Sequence, residues 1–393
     1  MTTSSRPRTT SRLGRWSGLL LIAAMLPLLG PAVPAFAAEC TSEVAPTADP
    51  LPIPTGPGCD DPEPPETTIE SVDPQPNAHD WIRESSVTFT FSGAYSDADT
   101  DPITFECQFF KDATPPEEWT ECTSPATYGS EAEPLEETPT TPYTFRVRAV
   151  DSADDAIDLT ADPFFPQDTD QPDVDQTPSE TTVRVDTEVP VASIFKGPYD
   201  NEGTGWPIAK KPEVTYLLAS NEDDITYRCQ LDGKAEACDQ GLVTLKGLDG
   251  GNHTFTAAAK DQAGNEDTSP ATKQFVVPHN LTQGKNWTKK KAKGYFAGDV
   301  LQTRKAGARI KFRAQNIREF RVIAPAGPRL GKIRVRTGTG FWKTYDLSKG
   351  KATKSRYLVV RDAASPLFSG RILVESLSRG KQVRVDALVF PPG

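Results

Sequence analysis

The chain has 393 residues and a formal net charge of −11 at pH 7, from 54 acidic and 43 basic side chains. With 36 prolines, two methionines and no helical periodicity beyond residue 40, it is not a helical bundle. The length suits two or three domains built from short strands and turns.

Arg6, Arg8, Arg12 and Arg15 precede an apolar run from Leu19 to Leu29, and Ala35-Phe36-Ala37 has the form of a cleavage site. These features predict a secretory signal peptide over 1–37. The run is too short, with the wrong flanks, for a membrane span, and no later segment is long and apolar enough. Glu39 before Cys40 does not suit a lipid-attachment box. The expected location is therefore outside the cytoplasm, with the protein either released or held at the cell envelope by contacts. Secretion argues against nucleic acid as a partner.

Residues 38–64 form a Pro-rich acidic leader. Strand alternation then begins with Val87, Phe89 and Phe91, continues through Ile103, Phe105, Cys107 and Phe109, and returns at Tyr143, Phe145, Val147 and Ala149. Three acidic residues at Asp97, Asp99 and Asp101 are hard oxygen ligands and the best calcium candidates in the sequence. Pro102 and Gln108 stand where an EF-hand loop needs Gly and Glu, and a plain surface turn is the competing reading. The run Asp168, Asp170, Asp173, Asp175 reads as a self-repelling linker over 165–186, after a first domain at 65–164.

A second domain at 187–278 repeats the first in phase. Ile225, Tyr227, Cys229 and Leu231 match Ile103, Phe105, Cys107 and Phe109, while His253, Phe255, Ala257 and Ala259 match Tyr143, Phe145, Val147 and Ala149. Equal phase points both first cysteines inward. The six cysteines fall into three close pairs, Cys40 with Cys59, Cys107 with Cys122 and Cys229 with Cys238. Six cysteines permit fifteen pairings, and the sequential one is inferred from spacing and repetition. In an oxidising compartment they read as disulfides. A zinc site is the rival, but no CxxC or nearby His completes one.

The two copies, each an aromatic-x-Cys strand with a following Cys and then Ala-x-Asp-x-Ala, resemble the immunoglobulin-like repeats of secreted bacterial surface proteins. The link Val185-Asp186-Thr187-Glu188-Val189-Pro190 is similar to their inter-repeat join, although Asp154-Asp155 stands where the second copy has Gly264-Asn265. The resemblance implies β-sandwiches used for spacing, display or binding.

Beyond residue 279 the charge reverses. Residues 39–190 hold 35 acidic and 5 basic side chains, whereas 279–393 hold 6 acidic and 26 basic, a net of +20. Gly294-Tyr295, Gly307-Ala308-x-Ile310-x-Phe312, Ala324-Pro325-x-Gly327-Pro328, Tyr345-Asp346-Leu347 and Val385-Asp386-Ala387 resemble a galactose-binding-like module, which implies a jelly-roll β-sandwich over 279–393. The expected fold is thus all-β, two tandem immunoglobulin-like sandwiches followed by a jelly roll.

Arg309, Lys311 and Arg313 alternate with Ile310 and Phe312, and Lys332, Arg334 and Arg336 alternate with Ile333 and Val335. With the apolar set inward, six cations face out and could receive an anionic polysaccharide or cell-wall polymer. A solvated face protected from edge pairing is the competing explanation, and the acidic N-terminal half could also fold back on it. Trp342, after Gly338-Thr339-Gly340, is a candidate for stacking on a sugar ring.

No G-x-S-x-G, H-E-x-x-H or phosphate-cradling glycine loop occurs, no cofactor is implied apart from the calcium candidates, and the expectation is a non-catalytic protein. A purely structural stalk is the alternative, and a carbohydrate-active enzyme without a familiar motif is a third reading.

Overall fold

The structure is a computed structural model that describes residues 64–95, 102–111, 114–151, 173–199, 205–238 and 241–392. Cys40, Cys59, the signal-peptide segment and Asp97, Asp99 and Asp101 lie outside the described residues. Among those described there is no α-helix, and no helix long and apolar enough to cross a membrane. The all-β expectation holds.

The first module contains β1 (Glu66–Asp73), β2 (Trp81–Ile82), β3 (Val87–Ala94), β4 (Ile103–Phe110), β5 (Thr120–Cys122), β6 (Ala126–Tyr128), β7 (Tyr143–Asp151), β8 (Asp173–Val174) and β9 (Ser179–Val185). One sheet runs β1-β3-β6 and the other β2-β9-β7-β4-β5, with β8 also on β7. Alternation sets the core: Phe89 on β3 and Phe145 on β7, both fully buried, stack across the two sheets at 4.1 Å.

The second module contains β10 (Ala192–Phe195), β11 (Glu213–Ser220), β12 (Thr226–Leu231), β13 (Lys234–Glu236), β14 (Leu242–Lys246), β15 (Gly251–Lys260) and β16 (Ala271–Val277), in sheets β10-β11-β14 and β13-β12-β15-β16. Tyr216 stacks on Phe255 at 4.9 Å, and Gly197, at φ +103°, leaves the space that this ring fills.

The repeat is exact in register where it matters. Phe105 faces Ala149 and Cys107 faces Val147; Tyr227 faces Ala259 and Cys229 faces Ala257. Cys107 and Cys229 are buried, and each is disulfide-bonded to the cysteine of the returning segment, Cys122 and Cys238. Closing loops with sequence separations of 15 and 9 stabilises each module by roughly 2–3 kcal/mol on the chain-entropy account.

The linker assigned to 165–186 is corrected in its second half. β8 and β9 pair with β7 and complete the first sandwich. Asp175, 3% exposed, is no surface repeller: its carboxylate accepts the backbone N–H groups of Thr67 at 3.0 Å and Thr177 at 2.7 Å, and its own N–H donates to the Ala149 carbonyl. Asp267 does the same in the second module, accepting from Ala192 and Ser269 while donating to the Ala259 carbonyl. Paired backbone donors make burial of these carboxylates affordable. Asp168 and Asp170 lie outside the described residues.

The third module contains β17 (His279–Asn280), β18 (Thr288–Lys291), β19 (Asp299–Thr303), β20 (Arg309–Ile317), β21 (Phe320–Ala326), β22 (Lys332–Thr337), β23 (Lys343–Asp346), β24 (Thr353–Arg361), β25 (Phe368–Ser376), β26 (Val383–Val385) and β27 (Ala387–Val389). Its sheets are β20-β25-β22-β23, β17-β27-β21-β24 and β18-β19-β26. Ile310, Ile333, Val335 and Ile372 from the first sheet pack against Val322, Ala324, Leu358 and Leu388 from the second.

β21 and β27 are apolar on both faces, the pattern of strands covered on both sides. Val322, Ala324 and Leu388 enter their own core, whereas Ile323, Ala387 and Val389 join Phe296 in the cluster that contains Tyr216 and Phe275 of the second module. The second and third modules therefore share an apolar core across residue 279. Asp386 is buried at this contact, and its two oxygens accept the Phe296 N–H at 3.1 and 3.0 Å. Burial, opposed by that hydrogen bond and reinforced by Asp299, pushes its carboxyl up to about 7.

Candidate anion-binding face

The two cation-bearing strands are not adjacent. β25 lies between β20 and β22, and its side chains decide what each cation can do. Ile372 and Val374 point into the core, so Arg371, Leu373 and Glu375 share the outer face with the cations.

The register arranges this face in three rows. In the first, Arg309 and Arg334 flank Glu375; in the second, Lys311 and Arg336 flank Leu373; in the third, Arg313 stands opposite Arg371. The side-chain contacts follow the rows. Arg309 Nε donates to Glu375 Oε2 at 2.6 Å, and Arg334 Nη2 and Nε donate to Oε1 at 2.6 and 3.1 Å. Burial alone would raise the Glu375 carboxyl, but the hydrogen bonds and charges of the two arginines bring it below its ordinary value. Two of the six predicted cations are thus committed to an internal carboxylate. Lys332 is 3.6 Å from Asp346, whose carboxylate also accepts from Ser348.

The other rows have no such partner. Lys311, Arg313, Arg336 and Arg371 line one depression of about 640 Å³, with Phe312, Leu373, Gly338 and Thr339 completing its wall. No carboxylate is in the lining, and none of the four forms an ion pair among the described residues. Arg336 Nε is buried without a hydrogen-bond partner. Gly338, just past β22 at φ +56°, donates its N–H to the Arg371 carbonyl at 2.7 Å, fixing the rim. Leu373 is 8% exposed and supplies an apolar floor under the cations.

Arg313 also lines a second depression of about 440 Å³, together with Arg318, Asn316, His279 and Phe390. A positively charged track therefore runs on from the third row. Trp342 lies half-buried beside the first two rows, with the guanidinium carbons of Arg334 and Arg336 4.2 and 4.6 Å from its ring centroid. Its ring contacts are cation–π contacts that hold the arginines in place. Phe341 beside it is fully exposed.

Arg371 and Arg318 were not singled out from the sequence. For Arg371 the signal is present in Arg371-Ile372-Leu373-Val374-Glu375, where charged ends flank the alternating core residues. His253 packs as its match to Tyr143 predicts, its ring near Phe275 and its nitrogens held by Asp232 and the Asp249 carbonyl.

No protein-family model matches the chain, and no curated protein matches it. Among solved structures it is similar to carbohydrate-binding modules of the β-sandwich superfamily, at 15% identity over 52% of this chain and 100% of that one, with a TM-score of 0.25. It is also similar to the fibronectin(III)-like modules of CbhA from Clostridium thermocellum, at 14% identity over 54% and 94%, TM-score 0.26. A bacterial ice-binding adhesin gives 10% identity over 81% and 99%, TM-score 0.26. At these scores the strand pairing itself, and not the likeness, defines the fold.

Proposed function

We propose that this is a secreted, non-catalytic binding protein whose third module holds an anionic polysaccharide or cell-wall polymer, with the immunoglobulin-like modules as its spacer. The observation that carries the reading is the pair of rows without an ion-pair partner: Lys311, Arg313, Arg336 and Arg371 around one depression with no carboxylate in its lining. Like charges held close on a rigid sheet repel one another, and a polyanion relieves that repulsion. A polymer fits better than a compact anion because the charge continues through Arg313 towards Arg318. The apolar floor at Leu373 and the exposed ring of Phe341 add surface against which the C–H faces of sugars can pack.

The test is retention of the chain without residues 1–37 on immobilised acidic polysaccharide, on anionic cell-wall polymer and on a neutral glucan, across a salt series. Retention on the anionic supports that falls steeply with salt, and that is lost in a Lys311→Ala, Arg371→Ala variant, is the expected result. Equal retention of wild type and variant, or none at low salt, refutes it and leaves the stalk.

A further inference from the structure

We propose that the joint between the two immunoglobulin-like modules is a divalent-cation site, with Asp186, Glu222 and Asp261 as its carboxylate ligands and calcium as the preferred ion. The three come from separate segments: Asp186 just past β9, Glu222 in the turn after β11, and Asp261 just past β15. One oxygen from each lies within 4.8 Å of the others. Calcium–oxygen bonds of about 2.3–2.6 Å let one ion touch three oxygens so spaced, with room for water or carbonyl ligands in a flexible shell.

The cluster is more than an acidic surface. Asp261 is 8% exposed. Its Oδ1 is taken by the N–H groups of Gly264 at 2.6 Å and Asn265 at 2.8 Å, while its Oδ2 is buried with no hydrogen-bond partner. A buried carboxylate oxygen without a partner is costly, and such an atom marks a place where a ligand belongs. None of the three carboxylates forms an ion pair among the described residues. Glu137 and Glu188 add further negative charge around Asp186, while Arg83, whose Nη1 reaches the Gly264 carbonyl at 3.5 Å, sets a cation at the edge of the cluster.

The surrounding contacts already bring the two modules together at this point. Asn265 Nδ2 donates to the Asp186 carbonyl at 2.8 Å and Asn77 Nδ2 to the Gln262 carbonyl at 2.8 Å, while the Asp186 N–H is tied within its own module to the Ile82 carbonyl. An ion bound by Asp186 from the end of the first sandwich and by Glu222 and Asp261 from loops of the second would fix the angle between them. The spacer would stiffen when the ion is present.

The experiment is calorimetric titration of calcium chloride into chelator-stripped protein lacking residues 1–37, with thermal melts in calcium and in EDTA. Wild type is expected to bind calcium at the joint and to melt higher in its presence. Glu222→Gln, a near-isosteric change at a half-buried residue outside the strands, should lose that calcium-dependent shift and melt higher than wild type in EDTA, because one repelling charge is gone. Asp186→Asn should behave the same way, and a variant with Asp97, Asp99 and Asp101 changed to Asn should keep the shift. A calcium response of equal size in wild type, Glu222→Gln and Asp186→Asn overturns the proposal. So does the absence of any calcium-dependent heat or shift in wild type.

Discussion

On the cationic face of the third module, the first row of cations and the two below it come from the same strands with the same alternation. Arg309 and Arg334 close on Glu375, whereas Lys311 and Arg336, one row further along, look across Leu373, and Arg313 meets Arg371. The middle strand alone creates the difference. A carboxylate near its C-terminal end turns two arginines into a clamp that supports the sheet; a leucine and an arginine two and four positions earlier leave Lys311, Arg313, Arg336 and Arg371 without an ion-pair partner. Charge on a surface is thus not one quantity, and a count of +20 over the module overstates what a ligand can use.

The strongest way to break this division is to reverse charge in the unclamped rows. Lys311→Glu with Arg371→Glu should weaken binding of acidic polysaccharide about 100-fold or more, since each charge-assisted contact contributes roughly 1.5–3 kcal/mol and 1.4 kcal/mol is a factor of ten. Affinity chromatography or calorimetry reads it, and the melting temperature should stay near that of wild type. Glu375→Gln tests the other half. It removes a buried charge held by two guanidiniums and should cost about 1.5–3 kcal/mol in denaturant unfolding. The same change releases Arg309 and Arg334, so anion affinity should rise while stability falls.

The outward phase of Arg309, Lys311, Arg313, Lys332, Arg334 and Arg336 was legible in the sequence because a strand buries every second residue. Sheet order was not, since strand pairing depends on contacts far apart in the chain, and so the roles of Glu375 and Arg371 in the middle strand stayed hidden. Asp175 misled for a related reason. Among other aspartates it reads as repulsive, yet the N–H groups of Thr67 and Thr177, one of them more than a hundred residues away, enclose it. The shared core of the second and third modules left a trace that was overlooked: the continuous apolar runs Val322-Ile323-Ala324 and Ala387-Leu388-Val389 lack the polar alternation of a strand with one wet face.

Asp386 sharpens the comparison from another side, as a buried carboxylate with no arginine. Its folded value of about 7 stands above its ordinary 3.8, so between these values the folded chain keeps a proton that the unfolded chain has released. Stability from this group is therefore greatest below pH 4 and declines as pH rises towards 7, by at most about 1.4 kcal/mol per pH unit. Asp386→Asn, which keeps an oxygen for the Phe296 N–H, should remove that decline in melts from pH 4 to 8. Glu375, lowered by its arginines, has the opposite sign: its contribution is intact above the ordinary carboxylate range and is lost only as pH falls through its depressed value.

The finest discrimination sets Arg309 against Arg313, two residues four positions apart on one strand with the same outward direction. Arg309→Gln removes one arm of the clamp and should cost up to about 1 kcal/mol, because Arg309 is half exposed and solvent screens its pair. It leaves the lining of the depression untouched, and affinity for acidic polysaccharide should hold or fall only slightly. Arg313→Gln should leave stability within about 0.5 kcal/mol of wild type, as a surface change with no ion pair, yet weaken polymer binding because Arg313 joins the two depressions. A crossed pattern, with one variant moving only the unfolding curve and the other only the binding curve, requires that the middle strand divides the face. Parallel losses in both assays would mean that all six cations act as one field and that Glu375 confers no division of labour.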